Sequence, residues 1–600
     1  MQTHLERGAT LRYVGALALV IVASVCWHLL DGKGTESFGY LIIVGYLAAC
    51  LLVLPLEAGL LAAMLLVSVF GVLDKINETK ISLTQMPLTF TDIKIAFQDP
   101  EGLVNAMKVE PWALFLAYFL FVVLAIAAAF LAFRWAQKIL TMGLSVIGTT
   151  AGATIFALSG FMLLQFTWAL DTQVTASVKK DDEVSSSEGI VKLSQQIGLL
   201  PFILYSYHAA SGDPIFSSVS IIPSLSAAEI SKVVSSYVHP KKNELAPNIV
   251  LVLAESTFDP NKAFNLSTPV EATLLSGRPD TQALGPLRVN VVGGGTWVTE
   301  FETISGVDVR FFGYFGLYTH TAVSPYIKQS LATYFNSRGY RTAGFYPVRG
   351  NSWNARHAYK NYGFQNFYDS LDLGYLNTDW SFPDTQLMKA VVKKLGPNPN
   401  APFFANVLTI ENHAPHPCIH FSSKEEFTTT FVGTEDFYLN CELNEYLFRL
   451  RSTDQAFDIL VQYLRELQEK TGRPYVVLIY GDHQPPTFTE KHSLYRTSAP
   501  LKETVFQLVS SIPHRVTCCD KALPAALIPS LISAFVAANA EDVYLGINFY
   551  LHDKCGPSPF GATRLHDLGE AATYVSAPVT PACEQAREQA FEAYRRYGIF

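Results

Sequence analysis

Three apolar runs in this chain each lead into residues that can bind a cation or move a proton. Asn248–Ala254 runs into Glu255-Ser256-Thr257, Pro402–Thr409 leads to Glu411-Asn412-His413, and Tyr475–Tyr480 leads to Gly481-Asp482-His483. A fourth segment, Gly293-Gly294-Gly295-Thr296, places a hydroxyl directly after three glycines, which let a ligand approach the backbone closely. Carboxylates with imidazole make a mixed oxygen–nitrogen site suited to Mn2+, Zn2+ or Mg2+. A threonine beside such a site is a nucleophile in need of activation. No Gly-Lys-Ser/Thr follows the glycines, which argues against a nucleotide P-loop.

The elements that must position these groups follow from the same runs. A continuous apolar run is the pattern of a strand buried on both faces, as in a parallel sheet. Between the runs lie helix-like stretches at 325–338, 384–395 and 453–469, and Arg288–Val292 is strand-like ahead of the glycines. Strands alternating with helices predict an α/β domain whose mostly parallel central sheet is covered on both sides. In such sheets ligands bind beyond the carboxyl ends of the strands, and that is where the carboxylates and imidazoles fall.

The N-terminal part has a different composition. Of the chain's 44 basic and 52 acidic residues, only 9 and 10 lie within 1–170. Charge-free stretches there match the roughly 20 apolar residues that cross a bilayer. They predict five transmembrane helices at about 11–30, 38–55, 57–73, 112–133 and 141–170, with a tight turn at Pro55-Leu56-Glu57 separating the second from the third. Arg7, Arg12, Arg134 and Lys138 put the N-terminus in the cytoplasm and the C-terminal domain outside. No convincing small-x-small cleavage site follows the first span, so an uncleaved anchor is expected. The expected organisation is a membrane domain over 1–170, a linker with an interfacial helix over 171–245, and an extracytoplasmic catalytic domain over 246–600. A net charge of −8 argues against a general nucleic-acid binder.

Cysteine usage agrees with that orientation. Cys26 and Cys50 fall in expected spans, while Cys418, Cys441, Cys518, Cys519, Cys555 and Cys583 all fall in the outer domain. An even number there suits an oxidising compartment. Cys418–Cys441 is a reasonable local pair, and the vicinal Cys518 and Cys519 are expected to have different partners.

With these residues in hand, the chain resembles the lipoteichoic acid synthase-like phosphoglycerol transferases of the sulfatase/alkaline-phosphatase superfamily. The resemblance runs from the loop of Lys75 and Pro87-Leu88-Thr89-Phe90-Thr91-Asp92 through the catalytic segments. It implies a five-helix transmembrane bundle followed by an α/β sulfatase-like domain. It implies Glu255, Thr296, Asp482 and His483 as ligands of one divalent cation, Mn2+ first, with Zn2+ or Mg2+ as alternatives. Thr296 would be the nucleophile, Trp353 and Arg356 of Ser-Trp-Asn-Ala-Arg would hold the headgroup, and His413 would contact the phosphate. Where Gram-positive members carry a histidine shortly after the residue matching Phe345, this chain reads Tyr346-Pro347-Val348. With the cysteines, this departure points to a Gram-negative inner-membrane relative with a periplasmic catalytic domain.

The activity so implied moves phosphoglycerol from phosphatidylglycerol to a glycan or polyol-phosphate acceptor through a threonine ester. A phosphoethanolamine transferase is the nearest rival, but its usual Gly-Glu-Thr-x-Arg differs from Ala254-Glu255-Ser256-Thr257-Phe258. A sulfatase would need Cys or Ser at the nucleophile, and a non-enzymatic lipid or glycan sensor would not need to keep Thr296 and its ligands.

Overall fold

Strand β1 (Asn248–Ala254) carries no polar side chain after its first residue and is buried from end to end. Its alternate residues serve two cores. Ile249, Leu251 and Leu253 join one cluster with Val298, Phe301 and Ile304, while Val250 and Val252 join another with Leu387, Met388, Phe457 and Leu460. A sheet covered on both faces therefore explains the unbroken apolar run. The computed structural model describes residues 245–600 apart from gaps at 376–381, 397–400, 490, 497–499, 514–521, 534–542, 557–562, 568–571 and 577–579, together with parts of 71–98 and 190–237.

The remaining strands of this sheet are β2 (Thr281–Arg288), β3 (Arg341–Phe345), β4 (Asn366–Tyr368), β5 (Phe403–Leu408), β6 (Tyr475–Gly481), β7 (Glu503–Ser510) and β8 (Leu523–Pro524). They lie in the order β4-β3-β5-β1-β6-β7-β2-β8, and β7 runs against both of its neighbours while the other pairings are parallel. A hairpin of β9 (Thr563–Asp567) and β10 (Ala572–Ser576) stands apart from the sheet. The helices used below are α1 (Phe90–Gln98), α2 (Ala227–Tyr237), α3 (Thr296–Ser305), α4 (Ala355–Asn361), α5 (Asp384–Leu395), α6 (Phe437–Thr471), α7 (Val543–Cys555) and α8 (Pro581–Arg596). Helices α5 and α6 cover one face of the sheet and α3 the other.

Three elements differ from the sequence expectation, the first being the helix-like stretch 325–338, of which only Leu331–Asn336 is α-helix, capped by Ser330. The strand expected over Arg288–Val292 lies earlier, over Thr281–Arg288. Gly285 and Pro286 hide it from a hydropathy reading, yet antiparallel pairing with β7 holds it, Pro286 opposite Val505. Residues after Arg288 instead lead into the glycine turn, with the Val289 N–H donating to the Lys502 carbonyl at 3.0 Å. The helix expected over 453–469 is the C-terminal half of α6, which is 35 residues long. Asp436 caps its start by accepting from the Leu439 N–H, and Gly472 ends it at φ 68°.

The chain divides into two compact units, one of residues 1–81, 86–184 and 188–212, the other of 82–85, 185–187 and 213–600. In the first, Lys80 Nζ donates to Asp92 at 2.5 Å and to the Pro87 carbonyl at 2.9 Å. Asp92 also receives the Thr89 N–H and hydroxyl, so Pro87–Asp92 forms a capped turn that opens α1. The Phe90 N–H donates to Ser206 Oγ, joining α1 to the helical residues near 205. The five expected spans fall almost wholly outside the described residues. Among the described residues, no helix is long and apolar enough to cross a membrane.

The second unit begins ahead of residue 246. Leu225 and Ile230 are buried in its core, α2 packs on α7, and the Tyr597 hydroxyl donates to the Leu225 carbonyl. Two disulfides join Cys418 to Cys441 and Cys555 to Cys583, the first being the local pair expected from sequence. Cys518 and Cys519 lie outside the described residues.

Truncating the centre of the sheet should be costly. Leu251 is fully buried, and Leu251→Ala is expected to lower unfolding stability by about 2–5 kcal/mol. Urea unfolding of the full chain measures this, and a loss under about 1 kcal/mol would contradict a central position for β1.

Candidate active site

Sheet register brings the first two groups together. β1 and β6 pair in parallel with Ala254 opposite Gly481, so the next residues, Glu255 and Asp482, emerge side by side. Gly481 permits this closeness: a Cβ there would lie 1.7 Å from the Thr257 carbonyl oxygen. The chain after Glu255 then turns sharply. Ser256 has φ 50°, a conformation that costs a non-glycine residue about 1–3 kcal/mol. Two contacts hold the turn: the Ser256 N–H donates to Asp482 Oδ1 at 2.8 Å, and Ser256 Oγ donates to Glu255 Oε1 at 2.8 Å. β5 contributes Thr409, whose Oγ1 accepts from the Glu255 N–H.

His483 completes a cluster with these two acids. One ligand atom from each of Glu255, Asp482 and His483 lies within 4.8 Å of the others, and all three residues are buried. His483 Nε2 is 3.2 Å from Asp482 Oδ2 and 3.6 Å from Glu255 Oε1. Its Nδ1 lies 3.2 Å from the Gln484 carbonyl. An N–H donating there leaves the Nε2 lone pair facing the acids. Asp482 Oδ2 is buried and has no hydrogen-bond donor among the described residues. Three acceptor groups thus converge, with Asp482 Oδ2 left without a donor among the described residues, and a cation is the partner that fits them. Burial first, and then the charge of Asp482, push the Glu255 carboxyl well above the usual carboxylate range.

Thr296 stands over this cluster as the first residue of α3. Gly295, at φ 84°, turns the backbone into the helix. The Gly293 N–H donates to the Gln484 carbonyl, tying the glycine turn to the end of β6. Thr296 Oγ1 lies 3.4 Å from Glu255 Oε2 and 3.5 Å from His483 Nε2. Its side chain is only partly buried, whereas the three groups beneath it are enclosed. Thr299, one turn on, donates to the Asp482 carbonyl at 2.8 Å.

The other expected residues sit differently. Trp353 stacks on Trp297, the neighbour of Thr296, with ring centroids 4.5 Å apart and planes at 23°. Arg356 is half exposed and lies 2.5 Å from Asp369 Oδ2 and 3.6 Å from Asp372 Oδ2, over the Phe367 ring. Burial alone would raise the Asp369 pKa. N–H groups of Gly350 and Asp372 together with Arg356 outweigh it and hold the carboxyl below its ordinary value. His413 is not part of the Glu255–Asp482–His483 cluster. Its Nδ1 faces the Ala414 carbonyl at 2.6 Å, and its own carbonyl accepts from Arg449.

Glu411 is turned toward the protein interior. Its Oε2 accepts from the Asp384 N–H and from Ser452 Oγ. Asp384 in turn accepts from the Ile410 and Glu411 N–H groups, fixing the loop after β5. Burial, followed by the nearby Asp384, raises Glu411 to about 7.

Sequence reasoning did not single out Trp297, Asp384 or Thr409. Trp297 had a local signal, an aromatic directly after Thr296. Asp384 and Thr409 act across distances in sequence that no spacing reveals.

Residues 247–505 match the sulfatase family model, so this segment is a sulfatase-family domain. An uncharacterized protein of Haemophilus influenzae is 28% identical over 324 residues, covering 51% of this chain and 56% of that protein. A Rhizobium meliloti protein described as "Putative cyclic beta-1,2-glucan modification protein" is 23% identical over 252 residues, covering 40% and 36%. The chain therefore spans about half or less of the length of these curated relatives. Among solved structures, the Streptococcus pyogenes phosphoglycerol transferase GacH in complex with sn-glycerol-1-phosphate is 18% identical, covering 61% of this chain and 90% of that one, with a TM-score of 0.44.

Two outcomes follow from the geometry. Gly481→Ala, which drives a methyl into the Thr257 carbonyl, should destabilise the chain by about 1–3 kcal/mol, read from its urea midpoint. Unchanged stability would contradict the close approach of the two strand ends. Glu411 also leaves a pH signature. Its folded-state pKa is raised from 4.5 to about 7, so its contribution is present below 4.5 and is lost as pH rises through 7. Glu411→Gln keeps the acceptor for the Asp384 N–H and should flatten stability across that window; an unchanged pH–stability profile would count against the burial.

Proposed function

We propose that this chain is a metal-dependent phosphoglycerol transferase that forms a covalent ester on Thr296. The observation that carries the reading is a partly buried threonine whose hydroxyl lies within 3.5 Å of both Glu255 and His483, beside a buried cluster of three converging acceptors. Glu255, Asp482 and His483, with the Thr296 oxygen, would hold one divalent cation, Mn2+ first and Zn2+ or Mg2+ as alternatives. Such a cation supplies Lewis acidity and lowers the pKa of a hydroxyl beside it.

The remaining steps belong to the chain's own groups. Glu255 Oε2 accepts the hydrogen bond of the Thr296 hydroxyl and so orients the oxygen for attack on phosphorus. In the first step the Thr296 hydroxyl gives up its proton as its oxygen bonds to the phosphorus of phosphatidylglycerol, and the bond to the diacylglycerol oxygen breaks, that oxygen taking a proton to leave as diacylglycerol. In the second, an acceptor hydroxyl displaces Thr296 and takes the glycerophosphoryl group. Trp353, stacked beside the nucleophile, forms a flat wall for the glycerol. Arg356 would meet the phosphate with the N–H groups that Asp369 does not take. His413 is proposed to reach the phosphate from the loop after β5.

The acceptor is proposed to be a glycan, in keeping with the description of the Rhizobium meliloti relative; a polyol phosphate would use the same second step. The domain is proposed to lie in the periplasm, anchored through five spans within 1–170, where the donor lipid is at hand.

Full-length protein in mixed micelles tests the reading. With phosphatidylglycerol labelled in its headgroup and Mn2+ present, diacylglycerol should be released and label should reach the protein. Thr296→Ala should lose both while its melting temperature stays near wild type. Asp482→Asn should weaken Mn2+ binding by about 10-fold or more in a calorimetric titration. Labelling only from phosphatidylethanolamine would overturn the donor, and wild-type turnover by Thr296→Ala would overturn the nucleophile.

A further inference from the structure

A second polar cluster lies behind Thr296. Glu300, four residues along α3 and 1% exposed, receives the Tyr359 hydroxyl and the Asn406 side-chain amide. Its other carboxylate oxygen is 3.2 Å from His320 Nε2. His320 is 2% exposed and reaches the opposite wall of the site, with Nδ1 3.2 Å from the Trp353 carbonyl. The His320 carbonyl accepts from Asn354 Nδ2 at 2.9 Å. His320 thus touches Trp353 and Asn354 on one side, while on the other its buried Nε2 packs against the Glu300 carboxylate at 3.2 Å, within ion-pair range but without a hydrogen bond.

What it grips is a strained backbone. Trp353 has φ 53° and Asn354 φ 60°, two successive left-handed residues ahead of α4. Asparagine tolerates that region, but tryptophan does not readily. Such a conformation persists only where the surroundings over-determine it. At this pair the Trp353 carbonyl faces His320 Nδ1, the Asn354 N–H donates to the Asn351 carbonyl at 3.1 Å, and the Asn354 side chain donates to the His320 carbonyl. The result is to present the Trp353 ring against Trp297.

We propose that Glu300 and His320 are positioning residues that couple the nucleophile helix to the Trp353 wall, holding both in one fixed spacing. Neither touches the reacting atoms. Glu300 shares α3 with Thr296, so the same carboxylate that anchors the helix also anchors the histidine that sets Trp353. The proposal rests on reading Thr296 as the nucleophile and Trp353 as its substrate wall, but its structural half stands on the stacked indoles alone.

The test uses that stack as its own reporter. Two indoles at this separation give an exciton couplet in circular dichroism, assigned by its disappearance in Trp353→Phe. In the full-length chain, His320→Ala should lose the couplet and lower kcat/KM for glycerophosphoryl p-nitrophenol by about 10- to 100-fold. His320→Gln, which keeps an N–H for the Trp353 carbonyl, should recover most of the couplet and part of the rate. Glu300→Gln, which conserves volume, should weaken the couplet with little change in melting temperature. If wild type does not turn over the phosphodiester, the functional reading fails while the couplet still judges the coupling. A wild-type couplet in both His320→Ala and Glu300→Gln overturns the proposal. So does a His320→Gln variant no better than Ala. If His320→Ala does not fold, Glu300→Gln decides alone, and an unchanged couplet there is fatal.

Discussion

Two buried carboxylates forced side by side are the constraint on which the site depends. Glu255 and Asp482 follow a pair of residues locked opposite one another in the sheet, so neither can retreat without breaking β1–β6 pairing. Burial penalises the Glu255 charge, and repulsion from Asp482 adds to it. Much of the nearby structure offsets this. Backbone N–H groups of Ser256 and His483 meet Asp482 Oδ1, and the Ser256 hydroxyl meets Glu255. One oxygen of Asp482 is left over, together with the outward nitrogen of His483. An arrangement that satisfies some acceptors and aims the rest at a common point has the form of a ligand set.

The sheet and the strained turns divide the labour. The sheet fixes where the metal-binding groups stand, because its register is set by apolar residues on both faces and cannot slip without exposing them. The positive-φ residues Ser256, Trp353 and Asn354 then aim individual groups that the sheet cannot reach. All three lie on segments that serve the site. The thermodynamic cost of those conformations is offset by the large packed core behind them.

Much of this was legible in sequence for a simple reason: the residues that make β1, β5 and β6 are also those that precede the functional groups. An apolar run names the strand, and the first polar residue after it names the site. Glu255, Asp482 and His483 were found that way, and Thr296 by its glycines. β2 was not, because Gly285 and Pro286 break the hydropathy pattern while β7 still supplies its partner. Glu411 follows β5 by the same rule, yet it turns inward, since Asp384 from α5 captures the loop, and His413 stands outside the three-group cluster. The bond between Arg356 and Asp369 and the reach of His320 to Glu300 were invisible for a different reason. They join segments whose proximity depends on how loops fold over the sheet, and no local pattern encodes that.

The separations within the site have a consequence for folding. Thr296 meets Glu255 across 41 residues and His483 across 187, while Ser256 meets Asp482 across 226. Contacts of such long range close late, after the loops between them have paid their entropy. A nascent or half-folded chain therefore holds the parts of the site without the site itself. Assembly of the site is thus set by topology, because Thr296 meets Glu255 and His483 only when the central sheet has formed.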